Sequence, residues 1–315
     1  MIAALTDCDA GGMRAALRAD FAPDAAIHLF HPLGDLRGPE ALASAAFDPL
    51  WAALPDVERR VDIAIRGRDG HGQDWLGQAG HYAGCFATPF LGIPPTGRLA
   101  ALRFHEFFRI EDGRAVEMQA IWDLPDLMAQ AGVWPMAPPL GAPGRVPGPM
   151  TQDGTRAAGD GAAAKRVVGA MLDHLHLSPQ GEAAMRLPDF WHPRCSWYGP
   201  GGIGTARGIR GFRDHHQIPF LDAMPDRRGL VDQGHFFAQG DYVGFTAWPG
   251  MEMTLSGGGW LGLPATGRRI TMRSLDFWRV EDGLIRENWV TVDLLDVHAQ
   301  LGTDVLARMR VLAAR

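Results

Sequence analysis

The octapeptide LGIPPTGR, Leu91 to Arg98, returns as LGLPATGR, Leu261 to Arg268, 170 positions further along the chain. The same shift lays EFFRIEDG (Glu106 to Gly113) on DFWRVEDG (Asp276 to Gly283), with Phe107, Arg109, Glu111, Asp112 and Gly113 meeting identical residues and no gap required. It also pairs Asp123 with Asp293, Gln130 with Gln300, Gly132 with Gly302, and Arg37-Gly38 with Arg207-Gly208. A register held across most of the chain marks a duplicated domain. The expected organisation is a first copy over residues 1–132, a linker over 133–164 and a second copy over 165–315. Each copy is of ordinary size for a single core. The linker is crowded with Pro, Gly and Ala, so it buries no core of its own and is expected to be stiff, extended and able to lie along a domain surface.

Within the first copy, PEALASAAFDPLWAAL (Pro39 to Leu54) spaces apolar residues at helical intervals, with Pro39 suited to the first helical position. VERRVDIAIRG, DWLGQAGHYAGCFATPFLG, RLAALRFHEFFRIEDG and RAVEMQAIWD then read as strands, and the Asp-Gly of EDG reads as a hairpin turn between the last two. The second copy repeats the order, from a helix near Ala162 to Leu177 through a strand at CSWYG, a helix at RGFRDHHQIPFLDAM and three strands, and ends in a helix at DVLARMRVLAAR. The predicted class is α+β, with curved antiparallel sheets wrapped on helices into two cone-shaped barrels, each open at one end for a ligand. TGR is most simply a turn, with Gly97 and Gly267 supplying positive φ.

Composition narrows the function. With 46% hydrophobic residues, 21% charged and a formal net charge of -6, the chain has the make-up of a soluble globular protein with no basic surface for nucleic acid. No apolar run is long enough for a membrane span and the amino terminus lacks a positively charged leader pattern, so the expected location is the cytoplasm. Cys8, Cys85 and Cys195 do not recur under the shift and suit neither a disulfide framework nor a zinc site. HExxH, P-loop, GxSxG and Rossmann patterns are absent, and GPGGIGTARG (Gly199 to Gly208) reads as a loop. Neither a metal nor a cofactor is expected.

The helix ending in Pro-Asp, the His followed by Gly, GxPxTGR, FRxEDG, the strand ending in Asp and the terminal QxG together resemble the SnoaL-like polyketide cyclases, within the nuclear transport factor two-like superfamily. The resemblance covers roughly Phe21 to Gly132 and Trp191 to Gly302. It implies a cone-shaped α+β barrel dimerised through its sheet, here an intrachain pseudo-dimer of the two copies, with further homo-oligomers left open. It also implies aldol-type ring closure, or related isomerase or hydratase chemistry, on an apolar carbonyl compound without metal or cofactor.

A carboxyl group in an apolar cavity suits such chemistry, because desolvation raises its pKa toward the working pH. The resemblance carries the catalytic acid onto Asp123 in AIWD and Asp293 in VTVD, and its histidine onto His81. By strand alternation Gln119 shares a face with Asp123, and Trp289 with Asp293, which makes both substrate-binding candidates. His28 and its counterpart Tyr198 are candidates to orient a substrate oxygen. Glu106 and Asp276, an acid kept in both copies, are expected to line either the cavity or the sheet interface. Helix capping is the competing role for Asp123 and Asp293, since helical segments follow both. Under the shift His81 meets Met251, so the first copy is expected to be the active one. Six tryptophans in the second copy suit a flat, ring-bearing or apolar ligand, although core filling is their commoner use. The alternative is a binding or scaffold protein whose cavities hold a ligand without turnover.

Overall fold

A computed structural model describes residues 10–144 and 146–314, so Cys8 lies outside the described residues. The first copy runs α1 (Ala10–Asp20), β1 (Phe21–Leu29), β2 (Gly34–Arg37), α2 (Gly38–Leu42), a π turn (Ala43–Phe47) and α3 (Asp48–Ala53). Then follow β3 (Glu58–Arg68), β4 (Asp74–Cys85), β5 (Leu99–Glu111), β6 (Arg114–Trp122) and α4 (Leu124–Gln130). The second copy opens with α5 (Ala162–Leu175), α6 (Glu182–Met185) and α7 (Leu187–Phe190), followed by β7 (Trp191–Tyr198), β8 (Thr205–Arg207) and α8 (Gly208–Phe212). A second π turn (Arg213–Gln217) leads into α9 (Ile218–Ala223), β9 (Arg228–Gly229), β10 (Gly234–Gln239) and β11 (Tyr242–Thr254). The copy ends with β12 (Arg269–Glu281), β13 (Leu284–Val292), α10 (Leu294–Gln300) and α11 (Val305–Ala313). Both are α+β domains of the expected kind. No helix among the described residues is long and apolar enough to cross a membrane.

The sheet orders are β2-β1-β6-β5-β4-β3 and β10-β11-β12-β13-β7-β8, with β9 on the flank of β11. The sheets are mixed rather than wholly antiparallel, because β1 runs parallel to β6 and β7 parallel to β13. Hairpin neighbours must be antiparallel, whereas these pairs are joined through the rest of the copy and are free to run the same way. The two Asp-Gly turns are of the predicted kind, with φ 47° and 77° at Asp112 and Gly113 and 51° and 77° at Asp282 and Gly283. The octapeptides are also turns, in which Leu91 and Leu261 both take φ 49° ahead of a positive-φ glycine. Each turn points the preceding aromatic, Phe90 or Trp260, inward.

The one-to-one shift fails in β11. Gln78 faces Glu106 and Tyr82 faces Leu102 in the first copy, whereas Phe245 faces Asp276 and Met251 faces Met272 in the second. Met251 therefore occupies the place of Tyr82, not of His81. The offset from the shift is three residues at Phe245 and one at Met251, and a bulge between Ala247 and Met251, containing the Trp248-Pro249 bond, takes up the other two.

The outer faces of the two sheets pack together. Phe107 stacks on Phe277 with centroids 4.8 Å apart, His105 Nδ1 lies 2.8 Å from the Leu275 carbonyl oxygen, and Thr246 donates to Gln119 at 2.7 Å. The first copy's core runs through this seam to Leu275, Phe277 and Met309. The tails are exchanged, because a Cβ on Gly262 would meet Ala137 beyond α4, and one on Gly92 would meet Met309 of α11. The segment between α4 and α5 makes contacts with both copies. Trp289 Nε1 donates to the Pro147 carbonyl at 2.8 Å, Ala64 N to that of Gly154 at 2.9 Å, and Ala142 bridges Thr205.

Asp123 and Asp293 lock the seam reciprocally. Each caps the helix after it, accepting from Asp126 N and Asp296 N respectively. Each also accepts a backbone N–H from the other copy, Gly201 N to Asp123 and His31 N to Asp293, both at 2.9 Å. Positions 31 and 201 are themselves one repeat apart. A Cβ on Gly201 would lie 2.5 Å from Asp126 N and 2.9 Å from Asp123 Oδ1, so Gly201→Ala should lower stability by about 1–3 kcal/mol in a urea titration. An unchanged midpoint would mean that this contact does not hold the seam.

Candidate active site

The two cups differ in what fills them. In the first, Glu106 is 1% exposed and engaged from three sides. Arg59 Nη2 donates to it at 2.6 Å, Tyr82 Oη at 2.8 Å and Trp122 Nε1 at 2.9 Å. The Arg59 guanidinium also lies over the Phe104 ring, 4.4 Å from its centroid. Burial alone would lower the Arg59 pKa, but Glu106 and Tyr82 hold it above its ordinary value. With Phe30, Phe47 and Phe90 packed beside this network, aromatic side chains fill the first cup around Glu106.

In the second cup the acid stays and its surroundings change. Asp276 replaces Glu106, and by strand register Gly229 stands where Arg59 is, Met251 where Tyr82 is, Ser274 where Phe104 is and Val292 where Trp122 is. The result is a hollow of about 610 Å³. Trp191, Trp197, Phe212, Phe220, Trp260 and Trp278 line it, with α5 along one wall and Gly70 and His71 of the first copy also contributing. The indole nitrogens of Trp191, Trp260 and Trp278 and His216 Nδ1 are buried and lack partners among the described residues. His216 stacks on Trp197 with centroids 4.1 Å apart. Burial, then the nearby Arg227, pushes its pKa down to about 3, so it is neutral at any physiological pH.

Asp276 is 9% exposed, and burial pushes its pKa up to about 7, against the opposing hydrogen bonds of Ser274 and Asn288 and the more distant charge of Arg103. A carboxyl group that half-titrates at neutral pH inside an aromatic hollow can both take and return a proton.

The other expected residues lie elsewhere, and strand alternation explains why. Trp122 and Val292 point into the cups, so the next residues, Asp123 and Asp293, turn to the opposite face. There they are shielded from water by the other copy and not by a cup. Burial raises both to about 6. Gln119 and Trp289 share that outer face and bond to Thr246 and Pro147, which leaves them out of reach of the hollow. Tyr198 Oη donates to Glu287 at 3.2 Å and its ring stacks on Trp289, while His28 pairs with Asp35 at 2.8 Å. Four of the second copy's tryptophans line the hollow, whereas Trp248 and Trp289 sit on the seam side.

His81 and Asp123 do come together, in a crevice of about 510 Å³ at the seam, with Arg103, Asp126, Trp134 and the Gly199–Gly204 turn. Arg103 is buried and pulled down to about 10, its donors taken by the Gly199, Tyr198 and Val290 carbonyls. His81 Nδ1 lies 3.3 Å from Asp62. The expectation of a hollow first cup is thus reversed. Sequence reasoning passed over Arg59, Gly229, Ser274 and His216, although the pairing of Arg59 with Gly229 under the 170-residue shift was the readable signal. Among the described residues no group of three or more His, Cys, Asp or Glu is placed to hold a metal ion.

A sequence profile of the SnoaL-like polyketide cyclases matches residues 1–131 and again 170–301. No curated protein matches the chain. Among solved structures, IdmH from Streptomyces antibioticus is 30% identical over 42% of this chain and 95% of its own, with a TM-score of 0.35. TsrD from Streptomyces laurentii is 26% identical over 44% of this chain and 96% of its own, with a TM-score of 0.33. A SnoaL-like polyketide cyclase from Agrobacterium tumefaciens is 20% identical over 43% of this chain and 98% of its own, also at 0.33.

The contrast between the acids is measurable as stability. Arg59→Leu leaves Glu106 buried without its cation and should cost about 3–5 kcal/mol. Asp276→Asn should stabilise instead, and the gain should grow with pH. The native carboxyl keeps its proton up to about 7 while the unfolded one loses it near 3.8, so wild-type stability contributed by this group is present below 3.8 and is lost as pH rises through 7. Melting curves at pH 5 and pH 8.5 check this, and an equal gain at both pH values would show that Asp276 titrates normally.

Proposed function

The chain belongs to the SnoaL-like polyketide cyclase family, whose profile covers most of both copies, and from that premise we propose that the second copy is a cofactor-independent acid–base catalyst acting on a ring-bearing carbonyl compound. Asp276 is the proton carrier and the first copy is the scaffold that completes the pseudo-dimer. One observation carries the proposal: the buried acid of the filled cup is neutralised by Arg59, whereas that of the hollow cup has no ion-pair partner among the described residues.

The chemistry balances within the site. The Asp276 carboxylate removes a proton from the carbon beside a carbonyl, and the enolate attacks a second carbonyl of the same molecule to form a carbon–carbon bond. The neutral carboxyl then returns that proton to the new alkoxide. The unpartnered indole N–H groups supply donors for oxyanions in a largely apolar hollow, where such bonds act more strongly than in water. The same proton relay without ring closure is isomerisation.

The seam crevice supports a second reading, in which Asp123, with His81 and Arg103, is the proton carrier, because its carboxyl is also raised to about 6. Its oxygens already accept two backbone N–H groups, which ranks it below Asp276. Exchange of the α-protons of 2-tetralone for deuterium, followed by NMR, separates the readings. Exchange by the wild type should rise with pH through about 7, as the base form of Asp276 appears. Asp276→Asn should slow it about a hundredfold, with Asp123→Asn changing it little. Loss in Asp123→Asn with retention in Asp276→Asn would move the site to the seam.

A further inference from the structure

We infer that the ligand of the second cup carries an anionic group of the carboxylate class and that Arg227 is its receptor. This rests on the reading that the second hollow is the ligand site.

Arg227 lies in the turn between α9 and β9 and lines the hollow. Its Nη2 donates to Ser178 Oγ at 2.5 Å and to the Leu175 carbonyl at 3.5 Å, and its guanidinium lies 5.9 Å from the centroid of Phe220. Its Nε and Nη1 donors make no hydrogen bond among the described residues. No carboxylate among the described residues pairs with it, and burial pulls its pKa down. The other arginines taken out of water are treated differently. Arg59 has Glu106, Arg279 has Glu287, Arg273 has Asp293, Arg286 has Glu281, and Arg103 has three carbonyl oxygens.

A half-buried cation facing an apolar hollow is held at a cost that an anion relieves, and a guanidinium edge with free donors matches the planar fork of a carboxylate. The acids on the same wall, Asp173 and Asp232, form no ion pair with Arg227 among the described residues, while Lys165 on α5 adds a second cation, 5.6 Å from the centroid of Phe236. The filled copy has Val57 at the position of Arg227, so the cation accompanies the hollow and not the fold. Asp276 and Arg227 thus divide the work: the first moves the proton and the second fixes which end of the ligand enters.

Calorimetric titration with 2-naphthoate and its uncharged methyl ester tests this. The wild type should bind the acid at least about tenfold more tightly than the ester. Arg227→Gln should bring the two affinities together by weakening only the acid, and Arg227→Lys should restore part of the difference. Ser274→Phe, which puts back the first copy's filling ring, should abolish binding of both. Equal affinity for acid and ester in the wild type, or a preference that survives Arg227→Gln, overturns the role of Arg227 while leaving the site in place. Binding untouched by Ser274→Phe, or no binding of either probe, overturns the site and this inference with it.

Discussion

A carboxylate withdrawn from water must be compensated or must keep its proton, and this chain does one in each half. At Glu106 the Arg59 guanidinium, the Tyr82 hydroxyl and the Trp122 indole surround the charge, and their bulk closes the cup. At Asp276 the groups that would compensate are gone, so the acid remains near neutrality and the space they would fill is open. Three substitutions, at the places of Arg59, Tyr82 and Trp122, remove a donor to the acid and filling volume at once. A cavity and an acid of useful pKa therefore arise together.

Much of the architecture was legible in the sequence because duplication prints every local signal twice. The Asp-Gly turns, the positive-φ glycines of the octapeptides and the helices flanking the strands follow from local backbone chemistry, which needs no knowledge of partners. The facing of the strands was not legible in the same way. Alternation says that Asp123 and Gln119 share a side, but not which side is the cup. Both sides of β6 are buried, one by Trp122 and its neighbours and the other by the second copy. A one-residue offset hid the true counterpart of Tyr82: Met251 stands there instead of Glu252, and the 170-residue shift is regained only beyond Leu255, whose N–H bonds the Arg268 carbonyl as that of Phe86 bonds Arg98.

The strand-end aspartates show how one residue type serves fold and assembly together. Asp123 and Asp293 each cap a helix, and with the remaining lone pairs each holds a backbone amide of the opposite copy. Their burial comes from the seam. A raised pKa at such a position reports burial by the other copy, whereas at Asp276 the shift reports burial in the wall of the second cup. Geometry, not titration, tells the two apart.

The connector between the copies has an evolutionary consequence. In a symmetric dimer built from one gene, a change that plugs one barrel plugs both, so rigidity and catalysis compete for the same codons. Joining the halves in a single polypeptide removes that competition. One half is free to trade its interior for solidity while the other keeps a void and a poorly solvated acid, and the robust half carries the fragile one.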